Sequence, residues 1–111
     1  MEGIENRIAT FLRNIAHPLR LKIIEVLKDK EKSVNEIQSE LGKKQSTISQ
    51  HLKKLTDTNV VIFRKDGNKS YYKIKNPDIH EIILLIINYI STQTKESIDE
   101  ITTKNIIDTL T

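Results

Sequence analysis

The run from Ser33 to Leu55 constrains this chain more than any other stretch. Ser33-Val34-Asn35-Glu36 has the spacing of a capping box. The Ser33 hydroxyl can accept from the Glu36 N–H while the Glu36 carboxylate reaches back to the start of the helix. Val34, Ile37 and Leu41 then recur at helical spacing. Gly42 follows, a residue able to take the left-handed conformation that stops a helix. Lys43-Lys44 is the only connection before a second periodic segment. There Ile48, Leu52 and Leu55 fall at i, i+4 and i+7 and make one apolar face. The opposite face carries Gln45, Ser46, Thr47, Ser49, Gln50 and Lys53, with no carboxylate before Asp57.

Two short helices joined by so tight a turn, the second polar outside, form a helix-turn-helix over 33–57. Short hydrogen-bonding side chains on a cationic face can reach base edges and phosphates in a DNA major groove. An ordinary amphipathic surface helix would show the same apolar face, so the surroundings decide between the two. The net charge is only +3, but it is unevenly spread. Residues 1–40 are neutral and residues 76–111 carry −4. Residues 41–75 carry +7, from Lys43, Lys44, Lys53, Lys54, Arg64, Lys65, Lys69, Lys73 and Lys75 against Asp57 and Asp66. A merely solvated charged face does not explain why acids leave that segment; a polyanion-binding surface does.

The rest of the chain supports this. Ile4, Ile8, Phe11, Leu12 and Ile15 predict a first helix over 4–15, with Glu5 at its favoured anionic end. Pro18 starts a second helix, to about Leu27, where a missing N–H costs nothing. Residues 29–32 read as a polar turn. Val60-Val61-Ile62-Phe63 is β-branched and aromatic, Asp66-Gly67 signals a hairpin, and Ser70 to Lys75 alternates as the return strand. A hairpin over 60–75 with a basic tip, Arg64 to Lys69, is a wing, suited to a phosphate backbone.

Asn76 caps and Pro77 opens a further helix over 78–90, apolar almost all round. So small a domain covers one face of such a helix, and the simplest partner for the other is a second copy. A homodimer is expected on this helix and the first, through Ile8, Phe11, Leu12, Ile83, Ile86, Ile87 and Ile90. Ser97 to Glu100 repeats the capping-box spacing, so a short C-terminal helix over 98–110 is expected. The fold class is mainly α with a small β-hairpin: one winged helix-turn-helix domain over 1–111, without repeats or a dividing linker.

Several classes of function drop out. The chain has no cysteine, which excludes disulfides, thiol chemistry and thiolate metal sites. The N-terminus lacks a basic segment followed by an apolar run, and the longest apolar run, Ile82 to Ile87, is far too short to span a bilayer. A cytoplasmic protein is expected. No phosphate-binding glycine loop, metal-hydrolase motif or nucleophile–base pairing is readable, so no enzyme is expected.

Residues 17–75 resemble the winged helix-turn-helix repressors of the ArsR/SmtB type. The resemblance is carried by His17-Pro-Leu-Arg-Leu-Lys-Ile-Ile24, Val34 to Ile37, Gln45-Ser-Thr-Ile-Ser-Gln-His-Leu52 and Val60 to Tyr72. It implies a dimeric, operator-binding regulator, usually a repressor, with Gln45, Ser46, Ser49 and Gln50 toward the major groove. We group Thr47 with these. Lys43, Lys44, His51, Lys53, Lys54, Arg64, Lys65 and Lys69 form the expected phosphate-contacting set. His51 could equally brace the turn, and His17 reads as a helix-boundary residue. A winged-helix module binding protein or RNA, or a non-specific architectural DNA binder, would share much of this pattern.

The sequence departs from the family at the sensor. The third-helix segment that bears cysteines in many members has none here. Asp78-Ile79-His80 resembles half of a second family metal site, on the dimerising helix. The other half falls near Ser91 and Thr94, which are poor ligands. Two ligands do not satisfy a tetrahedral zinc ion, so no metal site or cofactor is assigned, and Asp78 and His80 stand as the nearest candidates.

Overall fold

The computed structural model describes residues 3–94 and 100–101. One compact unit ends at Lys75 and a second begins at Asn76.

The first unit runs α1 (Ile4–Ile15), α2 (Pro18–Val26), β1 (Lys32–Ser33), α3 (Val34–Leu41), α4 (Gln45–Asp57), β2 (Val61–Asp66) and β3 (Lys69–Ile74). Local chemistry sets most of these boundaries. Pro18 opens α2, and the His17 side chain caps it by accepting the Leu19 N–H. The capping box of α3 is formed on both sides, with Glu36 N–H to Ser33 Oγ at 3.2 Å and Ser33 N–H to Glu36 Oε1 at 3.1 Å. Gly42 ends α3 at φ 63°, its N–H returning to the Gln38 carbonyl.

The end of α4 had no assigned stop signal. It closes through Asn59 at φ 63°, with Asn59 N–H to the Thr56 carbonyl and Val60 N–H to the Leu55 carbonyl. This is a Schellman closure, and Asn is among the few residues other than Gly that tolerate the left-handed conformation there.

The sheet is antiparallel in the order β1-β3-β2. Its outer strand corrects the reading of 29–32 as turn alone: Lys32 pairs with Tyr72 and Ser33 with Tyr71. Ser33 already has the extended backbone of a helix cap, so it can satisfy the free edge of β3 with no further ordering. The hairpin runs in register from Val61↔Ile74 to Asp66↔Lys69, with a two-residue loop at Gly67-Asn68. Gly67 takes φ 66°, which that tight loop requires. Arg64 to Asp66, expected in the tip, are therefore part of β2.

The core of this unit lies where α2, α3, α4 and the root of β2 meet. Ile23, Ile24, Leu27, Ile37, Ile48, Leu52, Leu55 and Val61 are fully buried. Removing such a side chain from water contributes about 1.5–3 kcal/mol before entropy is subtracted. Ile48, Leu52 and Leu55 are the three residues of the apolar face read from sequence. Their burial fixes which side of α4 looks outward.

In the second unit, α5 spans Asp78–Thr94, longer than the expected 78–90. Asn76 Oδ1 accepts the Asp78 N–H at 3.0 Å, the cap anticipated from sequence. Glu100 and Ile101 are helical; the remainder of the expected 98–110 helix lies outside the described residues. Among the described residues no helix is long and apolar enough to cross a membrane.

Candidate nucleic-acid interface

With Ile48, Leu52 and Leu55 inward, α4 presents Gln45, Ser46, Ser49, Gln50, Lys53 and Lys54 as exposed side chains, and Thr47 as half-buried. Lys44 caps α4 with its backbone only. The leading N–H groups of α4 and the side chains of Lys43 and Lys44 thus make a positive helix end, suited to phosphate. An open hollow of about 520 Å³ adjoins it, lined by Asn35, Gln38, Ser39, Gly42, Lys43 and Lys44. Lys53 is shared with Asp57 at 3.1 Å, one turn on, in an exposed pair of little energetic weight.

His51 is placed differently from the lysines with which the sequence reading grouped it. It is half-buried, and its Nδ1 accepts from Arg20 Nε at 3.1 Å. Its ring lies 4.4 Å from that of His17. Burial first, then the neighbouring His17 and Arg20, lowers its pKa below the usual imidazole value. A neutral His51 adds no charge to a phosphate-binding set.

The strand register sorts the wing into two faces, since paired residues share a side. Val61, Phe63 and Lys65 lie with Ile74, Tyr72 and Ser70. Ile62, Arg64 and Asp66 lie with Lys73, Tyr71 and Lys69. Arg64 is already engaged. It bonds both carboxylate oxygens of Glu31 and lies over the Tyr71 ring, 4.8 Å from the centroid. Lys65 and Lys69 are exposed at the end of the hairpin.

Sequence reasoning missed Arg20 and Glu31. Each meets its partner more than thirty positions away, 31 for Arg20–His51 and 33 for Arg64–Glu31. No local spacing signals such a pairing. At the other candidate site, Asp78 is exposed and His80 is half-buried. Among the described residues no group of three or more His, Cys, Asp or Glu could hold a metal ion, and two ligands do not fit a resident zinc.

Outward polar helix, uncapped positive N-terminus and basic hairpin together describe a surface that fits duplex DNA. Comparison with known proteins agrees. Residues 17–62 match the family described as "Bacterial regulatory protein, arsR family". An uncharacterised HTH-type transcriptional regulator of Mycobacterium tuberculosis, Rv0081, is 41% identical over 76 residues, 68% of this chain and 67% of that protein. The transcriptional repressor PagR of Bacillus anthracis is 42% identical over 79 residues, 70% of this chain and 79% of its own length. The crystal structure of the M. tuberculosis protein superposes with a TM-score of 0.76 at 33% identity, covering 86% of this chain and 96% of that one. HlyU from Vibrio cholerae gives 0.70 at 31% identity, covering 80% and 97%. The chain belongs to the arsR family of bacterial regulatory proteins, DNA-binding transcription regulators built on a winged helix-turn-helix.

Proposed function

We propose that the chain is a homodimeric repressor that reads an inverted-repeat operator through α4. The observation that carries this is the division of α4 itself. Its apolar residues are fully buried, and Gln45, Ser46, Ser49 and Gln50 are left exposed beside lysines. Gln50 and Gln45 are the candidates for reading adenine, because a side-chain amide can pair with the adenine N6/N7 edge. Lys43, Lys44, Lys53, Lys54, Lys65 and Lys69 supply affinity without sequence information.

Dimerisation is supported by apolar surface that is exposed among the described residues. On α5, Ile82, Leu85, Ile86, Tyr89 and Ile90 are exposed at i, i+3, i+4, i+7 and i+8, one continuous stripe. On α1, Ile4, Ile8 and Leu12 are exposed and Phe11 is half-buried. Ile83 and Ile87 are half-buried, and Leu85 and Tyr89 are the most exposed apolar residues of the same helix. Two copies would set their α4 helices in successive major grooves, about 34 Å apart on one DNA face.

The test is selection of duplexes from a random pool by the purified protein, with its mass in solution measured in parallel. The expected result is a dimer enriching an inverted repeat, with binding that weakens steeply as salt rises. Equal retention of every duplex would make the protein an architectural binder. A monomer indifferent to duplex DNA would point to a protein or RNA partner.

A further inference from the structure

A small polar cluster lies behind the reading face of α4. Arg20 of α2 is half-buried and donates twice, from Nε to His51 Nδ1 at 3.1 Å and from Nη1 to the Asn14 carbonyl at 3.0 Å. That carbonyl belongs to the last turn of α1, where carbonyls lack helical partners and a cation is favoured. One guanidinium therefore ties the end of α1 to the middle of α4. The His17 ring packs on the same imidazole, tilted by 47°. Its own Nδ1 is committed to the Leu19 N–H.

His51 adjoins Gln50 along α4, so a restraint on its ring adds to the one that the buried Ile48, Leu52 and Leu55 place on the rotation of the helix. Base-edge recognition requires side chains placed within about 0.5 Å. We propose that Arg20 and His51 are a positioning pair that refines, beyond the buried apolar face, the rotation of α4 for base reading, and that it holds only while His51 is neutral. This rests on α4 being the reading helix.

The proton dependence follows from the donor count. A neutral imidazole has one acceptor nitrogen, and Arg20 occupies it, which leaves Nε2 as the protonated position. A protonated imidazole has two donors and no acceptor, so it cannot take the Arg20 bond. It would also face a like charge. Among the described residues the groups acting on His51 are His17 and Arg20, neither of them a carboxylate that would compensate a second cation. Acid therefore opens the pair, and specific reading falls with it.

The experiment follows the affinity of the purified chain for a pool-selected duplex and for a random duplex, from about pH 8 to about pH 5, across the imidazole range. The ratio of the two removes the general gain in DNA binding that any protein shows on acquiring charge. The ratio should fall by roughly ten-fold on acidification, the equivalent of one hydrogen bond to a charged group. Arg20→Ala should lower it comparably at the alkaline end. His51→Asn, whose Oδ1 stands in for Nδ1 and can accept from Arg20 at either pH, should keep the alkaline ratio and lose the acid fall. His80→Gln should leave the fall in place. In the free protein, the His51 imidazole followed by NMR should titrate below the ordinary range and move up in Arg20→Ala.

A ratio that rises on acidification would overturn the pair and make His51 a phosphate ligand. So would an acid fall that survives in His51→Asn. Should Arg20→Ala fail to fold, the His51→Asn profile carries the test alone. Should the chain select no duplex, the reading of α4 fails, and the imidazole titration decides whether the pair exists.

Discussion

Arg64 of β2 grips Glu31 of the α2–β1 loop with two nitrogens, Nε at 3.1 Å from Oε2 and Nη2 at 2.5 Å from Oε1. Such a fork uses the same N–H edge that would meet a phosphate. The guanidinium is further held over Tyr71, its cross-strand neighbour. Arg64 thus ties the wing to the α2–β1 loop, and Glu31 offsets its charge and occupies one of its donor edges. Glu31→Gln should raise affinity for any duplex at low salt and steepen the salt dependence by up to about one ion. Titrating fluorescence anisotropy against salt checks this; an unchanged slope would keep Arg64 off the DNA.

Gln50→Ala and Lys65→Ala should weaken binding in different ways. Loss of a base-reading amide costs about 1–3 kcal/mol and relaxes preference at one base position. Loss of Lys65 weakens all duplexes alike and lowers the salt slope by about one. Competition between selected and random duplexes separates the two. Uniform weakening by Gln50→Ala would remove its reading role.

Leu85→Glu and Tyr89→Glu place a carboxylate in the exposed stripe of α5. Both residues are more than 60% exposed, so the fold of the single copy should survive. Sedimentation should show monomers, with the circular dichroism of the helices retained. A dimer that persists in both variants would move the contact elsewhere.

Ser33→Ala removes one half of the α3 capping box and should cost about 1 kcal/mol in urea unfolding, without a change in slope. Glu36 forms the other half. Its pKa is lowered by the Ser33 N–H first and the Ser33 hydroxyl second. A carboxylate held below its unfolded value gives stability that is present above that value and lost as pH falls through the folded one. Glu36→Gln should therefore flatten the acid limb of the stability curve, measured by thermal melts across the carboxylate range.

The sequence by itself determined what acts within one helical turn or one hairpin. Ser33 and Glu36, Gly42, Pro18, Asn76 and Gly67 each satisfy or release a backbone group a few residues away, so their meaning is the same in any tertiary context. Periodicity placed Ile48, Leu52 and Leu55 on one side of α4, and burial there left Gln45, Ser46, Ser49 and Gln50 exposed. Asn59 acts on the same local scale at the end of α4.

Tertiary structure alone decided the pairings between distant positions. Lys32 and Ser33 became a strand because β3 had a free edge beside them. Arg20 found His51, and Arg64 found Glu31, because packing brought a donor and an acceptor together that share no sequence spacing. Local hydrogen-bond needs are written along the chain; the partners of long side chains are written only in the space that folding creates.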